Sequence, residues 1–333
     1  MTPTLARLPV LVLEPHSRCN CRCLMCDIWK TTDAREISVA ELDRHMADIQ
    51  RLQVEWVVFS GGEPLMHSNL FALARLIRQR GIRATILSTG LLLQRYAARI
   101  VESIDDVIVS LDGPPEIHNR IRQTAGAFER LAAGVRAIHD RAPGYAISAR
   151  CTVQALNGSH LCATARAARS IGLRSISFLA ADLSSTAFNR PQPWPQERQE
   201  SICPDPLLLE AELEALIASE NSGFVLESPE KLRRIAAHFR AHARLEPFTA
   251  PRCNAPWVSA VVEPTGDVRP CFFHSPIGNL AEGTLEQVLN GPRAIAFRRS
   301  LKIAEDPTCR QCVCSLYREA PSVQPCAEVA VHE

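Results

Sequence analysis

The chain has 333 residues, 46% hydrophobic and 22% charged, enough for a sizeable core in one large domain with a smaller companion. Its 37 basic and 36 acidic residues leave a net charge of +1, which excludes a broad electrostatic footprint for nucleic acid. The apolar run at 8–13 is too short to span a membrane and lacks a signal-peptide layout, so a cytoplasmic protein without a membrane partner is expected.

In chain order, the first apolar run, PVLVLE at 9–14, reads as a buried strand, and the cysteine cluster CNCRCLMC at 19–26 follows it. Further strand-like runs lie at 55–60, 84–88, 106–112, 145–153 and 175–180. Helical stretches separate them: Ser38 with Glu41 forms a capping box opening 39–52, and Gly81 and Gly172 stand where helices would end. Strands alternating with helices of this length imply parallel βα units, whose chemistry lies at the carboxyl ends of the strands. The loops there are CNCRCLMC, GGEP at 61–64, STG at 88–90 and SLDGP at 110–114.

The proline-rich segment 181–206 reads as an irregular linker or lid. Helices at 207–219 and 229–244 follow, the second with Ser228 as N-cap and Pro229 at its first position. A hairpin around PTGD and a helix at 285–300, capped by Thr284 and Gln287, place a domain boundary near 245; residues 318–333 read as a loose tail.

Thirteen cysteines in a reducing compartment point to metal or redox chemistry, and the odd number argues against complete internal pairing. Cys151, Cys162 and Cys203 stand alone and read as small buried hydrophobes. Cys19, Cys23 and Cys26 have the spacing C-x3-C-x2-C, which suits three irons of a [4Fe–4S] cube with the fourth left open. C-x2-C is also half of a zinc site, but no partner pair lies within the next hundred residues. Cys21 falls at the wrong spacing. In GGEP, adjacent glycines admit close backbone approach, and Glu63 offers a carboxylate to an ammonium.

Taken together, C-x3-C-x2-C after the first strand and GGEP after the second resemble the radical S-adenosylmethionine (SAM) superfamily. The resemblance implies that Cys19, Cys23 and Cys26 bind a [4Fe–4S] cluster, whose open iron is chelated by the SAM amine and carboxylate. It implies that the loop Gly61, Gly62, Glu63, Pro64 holds the methionine amine and that Ser88 lies near SAM. Within VSLDGPPEIHNRIR, Ser110 and Asp112 would sit near the ribose and methionyl parts, with Arg150 as a candidate for the SAM carboxylate. One position departs from the family: the residue before the last cysteine, often aromatic there, is Met25.

The second group, Cys253, Cys271, Cys309 and Cys312, with Gly266 and Cys271 in a G-x4-C step, resembles the twitch half of SPASM/twitch extensions. It implies an auxiliary [4Fe–4S] cluster, although a structural zinc ribbon would use the same thiolates. Cys314 and Cys326 are too few for a clear second site, and Cys314 is an alternative ligand to Cys312.

The fold implied is α/β: a partial (β/α)6 radical SAM barrel over 1–245, a small α+β twitch/SPASM-like domain over 246–317, and the tail. The activity implied is reductive cleavage of SAM to a 5′-deoxyadenosyl radical that abstracts hydrogen from substrate, with an electron donor such as flavodoxin or ferredoxin. With one auxiliary cluster and no N-terminal peptide-recognition extension, the chain looks like the oxidoreductases acting on a small polar metabolite (sugar, cyclitol or nucleoside). A peptide-modifying SPASM-type maturase is the alternative, and a non-catalytic iron–sulfur regulatory protein is a third reading. No side chain is assigned to the chemical step. His67, Asn119, Arg120 and Arg122 lie near the expected mouth and read as surface or structural residues.

Overall fold

A computed structural model describes residues 2–220 and 222–319, so Cys326 and the tail from 320 onward lie outside the described residues. Six strands form where the apolar runs predict them: β1 (Val10–Leu13), β2 (Trp56–Phe59), β3 (Arg83–Ser88), β4 (Asp106–Ser110), β5 (Ile147–Val153) and β6 (Ile176–Ala180). All pair in parallel, in the spatial order 6-5-4-3-2-1, as a succession of βα crossovers requires.

The crossovers carry α1 (Val39–Asp43), α2 (Met46–Arg51), α3 (Leu70–Arg78), α4 (Leu93–Ser103), α5 (Pro115–Arg122), α6 (Ala127–His139) and α7 (Leu161–Ser170). Their apolar stripes pack on the sheet: Leu70, Leu73, Ala74 and Ile77 of α3 are all buried against it. The capping box of Ser38 and Glu41 is present, but the helix it opens breaks at Arg44–His45 into α1 and α2. Gly81 and Gly172 follow their helices with positive φ of 73° and 84°, the left-handed region that glycine enters without steric cost.

After β6 come α8 (Gln196–Ile202), α9 (Pro206–Ser219), α10 (Pro229–His242), with its Ser228 cap, and the short α11 (Ala255–Val258). Segment 181–206, expected to be irregular, therefore contains a helix. The hairpin appears as β7 (Ser259–Val262) and β8 (Asp267–Arg269), followed by β9 (Gly278–Asn279). The helix expected at 285–300 is interrupted by Gly291 and Pro292 into α12 (Leu285–Leu289) and α13 (Pro292–Ser300), with α14 (Pro307–Arg310) beyond.

β7 pairs in parallel with β1, so the hairpin and β9 extend the central sheet to nine strands. No helix among the described residues is long and apolar enough to cross a membrane. Cys151 lies fully buried in the core, as read from sequence, while Cys162 and Cys203 are only partly covered.

Glu14 marks the joint between the two parts. Its amide donates to the Val262 carbonyl at 2.9 Å, and its side chain lies against Gly61. Burial, then the neighbouring Glu263, pushes its pKa from 4.5 up to about 7, opposed by Arg269. A carboxyl raised on folding stabilises nothing at high pH: the folded chain retains a proton the unfolded chain releases, so stability falls as pH rises from 4.5 to 7. Glu14→Gln should therefore raise stability at pH 8 by up to about 3 kcal/mol and leave it little changed near pH 4.5. Thermal unfolding at the two pH values checks this.

Candidate metal centre

The cluster loop leaves β1 and must pass directly over the turn after β2. A Cβ at Gly62 would lie 1.9 Å from the Arg18 carbonyl oxygen, so only glycine allows the two backbones to meet. The contact is a hydrogen bond: Glu63 N donates to Arg18 O at 2.9 Å. Gly61 adopts a φ of 87°, which turns the chain out of β2.

The Glu63 side chain is fully buried and accepts from Leu65 N (3.0 Å), Ser88 Oγ (3.0 Å), Thr89 N (2.6 Å) and Thr89 Oγ1 (2.6 Å). Thr89 Oγ1 is also 3.0 Å from Asn20 Oδ1 in the cluster loop. The carboxylate expected to be open to an ammonium thus joins the first three βα loops. Burial still pushes its pKa up despite these donors. His16 Nε2 lies 2.5 Å from the Glu63 carbonyl and closes the turn from below.

Cys19, Cys23 and Cys26 feel one another's charge inside this loop. Burial pushes the Cys19 and Cys26 thiols up to about 12. Cys23 is shifted down, first by a hydrogen bond from the Cys21 thiol and then by Arg122. Cys21 is itself pushed up by its tie to Cys23 and lies buried against the core. Its sulfur therefore supports a neighbouring thiolate. Cys19 and Cys26, raised by burial, and Cys23, drawn toward the thiolate beside Arg122, form a three-sulfur donor set that a bound cationic group would complete, and they fit an iron–sulfur cluster.

The sheet register sets three polar side chains in one row: Ser110 stands beside Arg150, and Arg150 beside Ser177. Arg150 remains exposed, with its Nε 3.4 Å from Ser177 Oγ. Asp112, expected in the same area, is fully buried and committed within the protein. Its Oδ2 pairs with Arg122 Nη2 at 2.5 Å, and its Oδ1 accepts from Thr152 N at 2.9 Å. His67 is buried with Nε2 on the Ile37 carbonyl at 3.0 Å, and Asn119 accepts from Phe128 N, both as structural residues.

Segment 181–206, read from sequence as a linker or lid, is a strap across the cluster loop, held by residues that reading did not name. Arg190, fully enclosed, pairs with Asp182 at 2.5 Å, donates to the Met25 carbonyl at 3.1 Å and stacks on Trp194 at 3.7 Å. Trp194 Nε1 donates to Asp27 Oδ2 at 2.7 Å, and Arg198 reaches the Leu24 carbonyl. At its start, Ser184 Oγ donates to Gln311 at 2.6 Å. The one signal in sequence was the interleaving of Arg with Trp and Pro in RPQPWPQER, a pattern that cation–π stacking orders.

The second cysteine group also comes together. Cys309, Cys312 and Cys314 each feel the charge of Cys271 and Cys253, and burial pushes Cys309 up to about 12 and Cys314 up to about 11. Cys314 is buried and senses the charges of Arg150 on β5 and Asp182 just after β6. His274, three residues after Cys271, joins it with Nε2 3.4 Å from Cys309 Sγ. The thiols read from sequence thus sense one another's charge, while the group of ligand atoms lying within 4.8 Å of one another among the described residues is His274, Asp306 and Cys309.

Sheet and thiols together define a protein that holds iron–sulfur clusters at the carboxyl ends of a parallel βα array. Residues 13–154 match the Radical SAM superfamily, and residues 253–313 match SPASM, an iron–sulfur cluster-binding domain. The chain thus carries a Radical SAM domain followed by a SPASM domain, which imply a [4Fe–4S] cluster, SAM and auxiliary iron–sulfur as cofactors.

Among relatives, Fe-coproporphyrin III synthase of Methanosarcina barkeri is 32% identical over 154 residues, 45% of this chain and 38% of that protein. The chain thus aligns with well under half of that relative's length. The subtilosin biosynthesis protein AlbA of Bacillus subtilis is 21% identical over 287 residues, 84% of this chain and 59% of that protein. The structure of Streptococcus suis SuiB bound to S-adenosylmethionine superposes with a TM-score of 0.66 at 14% identity, covering 94% of this chain and 74% of that one, a likeness of fold.

Two outcomes test the site. Gly62→Ala should push the cluster loop off the GGEP turn and lose most of the iron held there, measured as iron per chain after anaerobic reconstitution. The triple change Cys19→Ala, Cys23→Ala, Cys26→Ala should remove about four irons per chain, one cluster, whereas Cys21→Ala should keep them. An equal loss in Cys21→Ala would make it a ligand.

Proposed function

We propose that the protein reductively cleaves SAM and abstracts hydrogen from a small polar metabolite of the sugar, cyclitol or nucleoside type. The net reaction would be an oxidation, epimerisation or rearrangement, with the electron arriving from a donor such as flavodoxin or ferredoxin. The observation that carries this reading is the row Ser110, Arg150, Ser177 across three adjacent strands, whose arginine charge is felt by the buried Cys314 of the second cysteine group.

When bound, the cluster and SAM supply homolytic cleavage of a carbon–sulfur bond and a carbon radical strong enough to take hydrogen from an unactivated position. The residues of this chain position and protect. Cys19, Cys23 and Cys26 would hold the cluster, and Cys253, Cys271, Cys309 and Cys312 the auxiliary one, with Cys314 as the alternative to Cys312. Arg150 carries an exposed guanidinium, in no ion pair among the described residues, that is suited to a carboxylate, and Ser110 and Ser177 are its neighbours on the adjacent strands. Gly61, Gly62 and Pro64 shape the turn over which the methionine part would lie, while Glu63 and Ser88 fix that turn to the third loop. The strap 181–206 shields the cluster loop from solvent.

A second reading, peptide maturation in the manner of a SPASM-type enzyme, is supported by the alignment with AlbA, which crosses both halves of the chain. The two readings separate on substrate: holoenzyme with dithionite and SAM should form 5′-deoxyadenosine faster with polar metabolites than with peptides. Absence of 5′-deoxyadenosine from protein with intact clusters would remove both.

Arg150→Ala should raise the apparent KM for SAM about tenfold, the cost of one charge-assisted contact. Cys271→Ala should still release 5′-deoxyadenosine but uncouple it from substrate turnover, read as the ratio of the two products.

A further inference from the structure

Arg122, the last residue of α5, is the cation that the mechanism above does not use. Its side chain is 8% exposed, and its Nη1 lies 3.4 Å from Cys23 Sγ. The other arm is held by Asp112 Oδ2 at 2.5 Å, and Asp112 is in turn fixed by Thr152 N at 2.9 Å. The backbone repeats the connection: Arg22 N donates to the Arg122 carbonyl at 3.3 Å, and Leu24 N to the Ile121 carbonyl at 3.1 Å. The cluster loop is thus paired along the end of α5, and the guanidinium cannot move away from the sulfur without breaking a buried ion pair.

An N–H aimed at a cysteine sulfur, carried by a buried positive charge, favours the state of the ligand set that holds more negative charge. Adding one electron to a thiolate-bound cluster produces that state. We infer that Arg122 is a positioning residue that sets the reduction potential of the cluster held by Cys19, Cys23 and Cys26, through its N–H contact with Cys23 and its anchor on Asp112. The inference rests on the ligand assignment proposed above. Asp112 has a separate part in it: by holding one arm of the guanidinium it leaves the other free for sulfur. A lysine placed there has a single ammonium and cannot serve both partners with the same geometry.

The test is a potentiometric titration of the reconstituted holoenzyme without SAM, following the signal of the reduced cluster by electron paramagnetic resonance. Arg122→Gln should shift the midpoint negative, so that the reduced-to-oxidised ratio at a fixed potential falls at least tenfold, equivalent to 59 mV for one electron. Arg122→Lys should fall between that variant and the wild type at the same iron content. A midpoint unchanged in Arg122→Gln would overturn the inference.

A second measurement needs no variant. Wild-type protein carrying 15N only at the arginine Nη positions should show a weak 15N coupling to the reduced cluster, and no such coupling would overturn the inference even if Arg122→Gln failed to retain iron. If wild-type protein gave no reduced-cluster signal that changes on adding SAM, the ligand assignment itself would fail and this inference with it. A normal signal with an Arg122-independent midpoint would refute the inference alone.

Discussion

Close backbone contact between the cluster loop and the GGEP turn is the constraint on which the rest of the site depends. Two polar strands of chain cannot be pressed together unless their hydrogen-bonding groups are satisfied, and no side chain fits between them. Gly62 removes the steric obstacle, the Glu63 amide satisfies the Arg18 carbonyl, and the Glu63 carboxylate draws in Ser88 and Thr89 from the next loop. A carboxylate buried this completely is stable only with several donors, so the same residues that ease its burial also hold three loops in register.

Two buried ion pairs then flank the thiols. Asp112–Arg122 approaches from the β4 side and touches Cys23, while Asp182–Arg190 approaches from the β6 side and holds the Met25 carbonyl. Such pairs add little net stability, because desolvation offsets their attraction, but breaking one leaves an uncompensated charge and is costly. Their value here is directional. Each arginine has one arm on its aspartate and another on the cluster loop, which makes the loop part of the strand framework.

The SPASM portion is joined to that framework by the sheet itself. β7 pairs with β1, and the strap runs from the end of β6 past the cluster loop with a contact to Gln311. Cys314 of the second cysteine group consequently senses Arg150 on β5 and Asp182 just after β6. A single continuous sheet gives two iron–sulfur sites a fixed relation without a large separate interface.

Much of this was legible in the residues. Six apolar runs of strand length, the capping boxes at Ser38 and Thr284, and the spacing of Cys19, Cys23 and Cys26 are local patterns, and local patterns carry secondary structure and ligand sets. The break at Arg44–His45 carries no helix-breaking residue, whereas the one at Gly291–Pro292 carries its own signal in a proline that opens the next helix. The destinations of long polar side chains were decided only by the tertiary structure. Asp112 and Arg122 are ten residues apart, and each is an ordinary charge in sequence; burial makes them a pair and directs the second arm to sulfur. Arg190 and Trp194 likewise read as parts of a loose proline-rich stretch until the cluster loop supplies the carbonyls and the carboxylate they require. Sequence alone therefore determined which thiols are offered as a set, because ligand type and spacing are covalent properties of one short loop. What surrounds those atoms was settled by folding, because a buried donor must find an acceptor and the nearest one lies far along the chain.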